Sequence, residues 1–248
     1  MQSMLLAIDI GNTNITTGVF QNNTLIKQFR VSTNDISSFT DIIISLDNIT
    51  GAIMASVVPK VDTDIHKNLK QAFNIDIYNV SRETLPHFKT NLQNPDEVGA
   101  DRLVNYFYAI HQGNYPAIII DFGTATTFDV IDTNKVYLGG VIAPGINLSI
   151  KTLADATAKL PKIKLHKQSN VIGNNTKDAI NSGLYNGYIE LINGINRRIK
   201  HELGVESLKI IATGGLANIF ADEIDNLTYI EPDLTLKGLN LIYNYNNK

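Results

Sequence analysis

Two short segments carry the same chemistry. Ile8-Asp9-Ile10-Gly11-Asn12-Thr13 and Ile120-Asp121-Phe122-Gly123-Thr124 each end an apolar run with an acid, a glycine and small hydroxyl or amide residues. They stand close to half the chain apart, and a second strand-like stretch follows each at once, Ile15 to Phe20 and Thr127 to Ile131. Glycine lets a backbone approach closely, and the N–H groups of such a turn form an anion-binding concavity. Asn12, Thr13 and Asn14 add donors in the first segment. Neither segment contains a lysine or arginine. Two carboxylates beside phosphates would repel them, so a cation must lie between, and magnesium held mainly through water and phosphate oxygens meets that need. A plain β-hairpin with a polar turn explains either segment taken alone. The pair in matching contexts favours a nucleotide phosphate chain.

A second kind of chemistry sits in Glu97-Val98-Gly99-Ala100-Asp101-Arg102. Gly99 and Ala100 leave room beside an adjacent acid and base. An aspartate there could take a hydroxyl proton during phosphoryl transfer, and an arginine could grip a substrate carboxylate with two hydrogen bonds. An ion pair in the first turn of a helix is the plainer reading. Gly139-Gly140-Val141-Ile142-Ala143-Pro144-Gly145 and Thr213-Gly214-Gly215 are glycine-rich exits from strands into helices, where helix N-termini could face phosphate. Thr176 is a helix N-cap, or a hydroxyl presented to a ligand. Gly183, Gly187 and Gly194 share one face of a long helix. Such a stripe implies a close approach, either by the protein's own sheet or by a second copy across a two-fold axis.

Competing signatures are missing. The chain has no Gly-x-Gly-x-x-Gly, no Gly-x4-Gly-Lys, no Gly-x-Ser-x-Gly and no His-Glu-x-x-His. It has no cysteine, which excludes disulfides, thiolate metal sites and cysteine nucleophiles. The net charge of −3 and the lack of a basic block argue against nucleic acid as a partner. No apolar stretch approaches the ~20 residues needed to span a bilayer. A soluble cytoplasmic protein is expected.

The elements that must position these residues follow from hydrophobic period. Strands are predicted at 5–10, 15–20, 24–31, 52–58 and 75–80, with helices at 37–46 (Ser37 or Ser38 as N-cap) and 61–73. A helix from about Pro95 to Ile110 should sit at the junction of the halves. Strands return at 117–121, 127–132, 136–142, 208–212 and 227–230. Helices are predicted in the 147–158 region and at 178–203, 216–220 and 234–245. The order is that of mixed sheets covered by helices, made twice. The expected domains are 1–114 and 115–248.

Taken together, Asp9–Asn14, Gly99–Arg102, Asp121–Thr127, Gly139–Gly145 and Thr213–Gly215 resemble the type III pantothenate kinases, over essentially the whole chain from Met4 to Tyr245. That family belongs to the acetate and sugar kinase, heat-shock chaperone and actin superfamily. The resemblance implies an α/β fold of two duplicated ribonuclease-H-like (actin-like ATPase) domains, with mixed five-stranded sheets and an interdomain cleft. It implies ATP-dependent phosphorylation of pantothenate to 4′-phosphopantothenate, the first step of coenzyme A synthesis. Magnesium would accompany ATP, a monovalent cation (potassium or ammonium) would be needed, and the chain would form a homodimer.

By position, Asp9, Ile10, Gly11, Asn12, Thr13, Asn14, Ile15 and Thr16 would hold the ATP phosphates with Thr124, and Asp121 would ligate the monovalent cation. Asp101 would be the proton acceptor. Gly99, Ala100, Asp101, Arg102 and Thr176 would contact pantothenate, Thr176 from the neighbouring subunit. Leu92 stands where many relatives have a substrate-contacting tyrosine, and it is not counted as catalytic. Another small-molecule kinase of the same superfamily and a non-catalytic nucleotide-dependent regulator are the alternatives.

Overall fold

The computed structural model describes residues 3–247. The chain divides into two compact units, Met1–Gly113 with Asp233–Lys248, and Asn114–Pro232.

The first unit opens with an antiparallel meander of β1 (Met4–Ile10), β2 (Asn14–Gln21) and β3 (Thr24–Ser32). Asn22 turns the second hairpin with φ at 55°, a conformation asparagine tolerates better than most residues. Helix α1 (Ile36–Ile44) leads to β4 (Ile49–Ser56), which returns parallel to β1. Helix α2 (Pro59–Phe73) then leads to β5 (Ile77–Asn79), parallel to β4. The strand ends at Ser56, short of the expected Val58, and Pro59 is the first residue of the helix, where its missing N–H costs no bond. The cap of α1 is Asp35, not Ser37 or Ser38. Its carboxylate accepts from the Ser38 backbone N–H and from both serine hydroxyls, and a charged acceptor outcompetes a neutral one.

The expected single helix over 95–110 is broken. A 3₁₀ turn spans Pro95–Glu97, Val98 is extended, and helix α3 (Ala100–His111) begins only after Gly99. β1, β2 and β4 supply the middle of the first core, with Leu6, Ile8, Ile15, Val19 and Met54 packed on Phe39, Ile43, Ile65 and Leu69 of the two helices.

The second unit repeats the plan. β6 (Ala117–Phe122), β7 (Ala125–Ile131) and β8 (Tyr137–Pro144) form a meander. Helices α4 (Ile146–Asp155) and α5 (Thr176–Leu203) follow, then β9 (Lys209–Thr213), the short α6 (Ala217–Phe220) and β10 (Tyr229–Ile230). One sheet is ordered β3-β2-β1-β4-β5 and the other, read from its meander edge, β8-β7-β6-β9-β10. The sense of every pairing matches: the first three strands are antiparallel, and the two that follow helices are parallel. The core of this unit joins Ile118, Ile120 and Phe128 to Ile150, Tyr185, Tyr188, Ile192 and Phe220.

The closing helix α7 (Leu234–Asn246) departs from the expected second boundary, because it belongs with the first unit. Two close approaches explain this. A side chain at Gly238 would lie 2.6 Å from Val104 Cγ1 on α3, and one at Gly51 would strike the Tyr243 hydroxyl. No helix among the described residues is long and apolar enough to cross a membrane.

Candidate active site

Asp9 is half-buried near the end of β1, whose middle is fully covered. Its cross-strand partner is Thr16 and its parallel neighbour Ala55, so small or hydroxyl-bearing residues flank the carboxylate on both sides. The loop that follows runs from Gly11 to Asn14, with Asn12 and Thr13 exposed. Gly11 N–H donates to Asn14 O at 3.0 Å. The loop is fastened from outside by Thr33, just past β3. Thr33 N–H donates to Thr13 O at 3.0 Å, and its hydroxyl donates to Gly11 O at 2.7 Å.

The second hairpin places Asp121 between Thr127 on β7 and Thr213 on β9. Its loop runs from Gly123 to Ala125, with Gly123 N–H donating to Ala125 O at 3.1 Å. The other two glycine-rich segments converge on this turn. Gly145 N–H donates to Thr124 O at 3.1 Å, and a Cβ at Gly145 would lie 2.2 Å from that same oxygen. Gly214 has φ at +89°, which disfavours any side chain, and a Cβ there would lie 2.6 Å from Asp121 Oδ1. Both glycines therefore make space for the turn and its acid. Among the described residues no group of three or more His, Cys, Asp or Glu could hold a metal ion.

Asp101 lies in the first turn of α3. Gly99 vacates the volume its carboxylate uses, since a Cβ at Gly99 would come within 2.6 Å of Asp101 Oδ1 and 3.4 Å of Val57 Cγ1. Burial raises the Asp101 pKa above the ordinary carboxylate value. The Arg102 backbone N–H, donating at 2.8 Å, and the Arg102 charge pull the other way. Arg102, Gly99 and Ala100 are all half-buried. Val57 joins this turn to the first hairpin: its side chain flanks Gly99 and its N–H donates to Ile10 O at 3.0 Å. The first unit thus brings Asp9–Thr16 and Gly99–Arg102 to the same ends of β1 and β4.

The structure holds Asp121 and Thr124 together in the second unit. Thr176 is exposed at the first position of α5, but it is not the cap. Asn175 is, because its side chain accepts from Asp178 N–H at 3.0 Å. The glycine stripe of α5 does not pack on the unit's own sheet: side chains at Gly183 or Gly187 would meet nothing within 4 Å. Leu92 is half-buried, in the loop before Pro95. Thr33 and Val57 were not legible as site-building residues. Each lies just past a strand end with no motif around it, and only the ladder register reveals what it fastens.

A family model for type III pantothenate kinases matches residues 5–198. The chain belongs to that family. The matched stretch includes both acid-bearing hairpins, Gly99–Arg102 and Thr176. A type III pantothenate kinase of Halalkalibacterium halodurans is 40% identical, covering 98% of this chain and 100% of the relative. One from Agathobacter rectalis is 38% identical, covering 99% and 98%. A Sinorhizobium meliloti structure, provisionally described as a 2-dehydro-3-deoxygalactonokinase, superposes with TM-score 0.62 at 11% identity, covering 97% of this chain and 96% of the other. A Campylobacter jejuni structure, provisionally described as a Baf family transcriptional activator, gives 0.59 at 23% identity, covering 98% of each. These two likenesses are of fold: an α/β architecture with two mixed five-stranded sheets.

Proposed function

We propose that this chain transfers the γ-phosphoryl group of ATP to the primary alcohol of pantothenate, giving 4′-phosphopantothenate and ADP, the first step of coenzyme A synthesis. The observation that carries this reading, beyond family membership, is the placement of a lysine-free phosphate-type hairpin and a half-buried aspartate at the same ends of β1 and β4 in the first unit. Phosphoryl transfer asks little covalent chemistry of the protein and much positioning and charge neutralisation. Asp9, Ile10, Gly11, Asn12, Thr13, Asn14, Ile15 and Thr16 hold the phosphates. Asp101 accepts the alcohol proton as the new P–O bond forms and the β–γ bridge breaks. Its raised pKa makes it a stronger base than an exposed aspartate. Gly99, Ala100 and Arg102 line the pantothenate site, where Arg102 would face the substrate carboxylate. Thr176 contacts pantothenate from the second subunit.

The donor set fits the implied cations. With no cluster of protein ligands among the described residues, magnesium would be held mostly by phosphate and water near Asp9. Asp121, with Thr127 and Thr213 as its ladder neighbours, offers a carboxylate beside two hydroxyl-bearing residues, oxygen donors of the kind suited to potassium or ammonium. When bound, these ions supply the positive charge that the hairpins lack. A homodimer is supported by the open glycine stripe of α5, and a cytoplasmic location by the substrates. Gly187→Leu should shift sedimentation from dimer to monomer, and an unchanged dimer would move the interface elsewhere.

The test is incubation with ATP, magnesium, potassium and pantothenate, with mass spectrometry for phosphopantothenate and a potassium-free control. Asp101→Asn should lose about 10²–10⁴ in turnover while still binding ATP. It should also be more stable than the parent, and by more at neutral pH than in mild acid. A raised folded-state pKa means that the folded chain holds this proton more tightly than the unfolded chain, so stability falls as pH rises through the folded value, and asparagine removes that loss. Unaltered turnover would remove Asp101 from the role.

A further inference from the structure

Nothing in the roles above involves α7, yet it packs against the helix that carries Asp101. The first turn of α3 has little to hold it from its own start. Its cap is Gly99, which has no side-chain capping bond, and the Asp101 carboxylate turns back onto the Arg102 N–H. Beyond the Val57 contact at Gly99, further restraint comes from the body of the helix. One turn on from Asp101, on the same face, Asn105 is 1% exposed. Its Oδ1 accepts a 3.0 Å hydrogen bond from the Thr235 hydroxyl, in the first turn of α7.

Burying an amide inside a helix is a poor choice for stability, since an apolar residue would fill the place without needing a partner. A satisfied polar pair with its amide buried and its hydroxyl half-buried does fix one rotation and one register between two helices, which apolar packing leaves looser. Gly238 brings the helices together beside it. A Cβ there would lie 2.6 Å from Val104 Cγ1, 3.0 Å from Val104 O and 3.4 Å from Tyr108 Cβ. The contacts at Val104, Asn105 and Tyr108 therefore clamp one face of α3.

We propose that Thr235 and Asn105 form a positioning pair that sets the register of α3 and so holds Asp101 at the reacting hydroxyl. This rests on the reading of Asp101 as the proton acceptor. Neither residue touches substrate in this account.

The experiment compares the parent chain with Thr235→Val, which keeps the shape and removes the donor, and Thr235→Ser, which restores it. Turnover, the KM for ATP and hydrogen exchange of the Leu103 amide are read together; that amide closes the first bond of α3, to Gly99 O at 3.1 Å. Thr235→Val should lower kcat about 10- to 100-fold with little change in the KM for ATP, and speed Leu103 exchange, with serine reversing both. A purely structural role would lower the melting temperature and leave kcat of the folded enzyme intact, and that result overturns the proposal. Unchanged Leu103 exchange also overturns it. If Thr235→Val does not fold, Thr235→Ala carries the same readings. A parent chain that never phosphorylates pantothenate refutes the functional reading instead, and the exchange measurement still decides whether the pair holds the turn.

Discussion

The two hairpins share a topology and differ in how they are held. In the first, four residues, Gly11 to Asn14, separate Ile10 from its partner Ile15; in the second, three residues, Gly123 to Ala125, separate Phe122 from Thr126. Each loop receives a backbone N–H from the residue just past the third strand of its meander: Thr33 to Thr13 O in one, Gly145 to Thr124 O in the other. These positions are structural equivalents. The looser first loop admits a threonine, whose hydroxyl adds a second bond, whereas the tighter second loop admits only glycine. Duplication kept the ladder, and each copy found its own way to fasten the turn. The second turn is over-determined by backbone contact. The first is held by backbone bonds and by the Thr33 hydroxyl, and Gly11 itself lies outside the left-handed region with only an ordinary contact at 3.4 Å.

That contrast can be broken in three ways. The largest effect should come from Gly145→Ala, whose methyl would be driven into backbone oxygens of Thr124 and Gly123. A loss of about 1–3 kcal/mol or more is expected in chemical denaturation. Gly11→Ala should leave stability within about 1 kcal/mol of the parent, since at a sterically compatible site the lower entropy of the unfolded chain offsets any local strain. If Gly11 fills the proposed phosphate-binding role, the change should raise the KM for ATP roughly tenfold. Equal destabilisation by the two changes would erase the distinction. The smallest effect should be that of Thr33→Val, which removes the 2.7 Å bond to Gly11 O and should cost about 0.5–1.5 kcal/mol. If it cost nothing, the first turn would be held by something other than Thr33.

Much of this fold was readable in the residues. Apolar runs such as Leu5–Ile10 and Ile118–Ile120 end in an acid and a glycine, and a strand period needs no tertiary information. What could not be read depended on partners distant in sequence. Periodicity marked 234–245 as a helix but could not say which sheet it would cover; the close approaches at Gly51 and Gly238 show that it packs with the first unit. The break before α3 came from Gly99, whose role is to make space for Asp101. The caps Asp35 and Asn175 were displaced by one to three residues because several polar side chains compete for the same N–H groups. For the candidate site, the acids and glycines announced themselves as types. Thr33 and Val57 did not, since their effect lies in backbone register. Two readings of the α5 glycines were equal in sequence, and the space around them argues against the protein's own sheet as the partner.

The central claim is that these parts act together to phosphorylate pantothenate and not a related acceptor. The direct measurement offers γ-labelled ATP with magnesium and potassium to a panel of pantothenate, hexoses, N-acetylated amino sugars and acetate. The account predicts label in 4′-phosphopantothenate alone. Label in a sugar or acetyl phosphate, or ATP that stays intact with every acceptor, would contradict it.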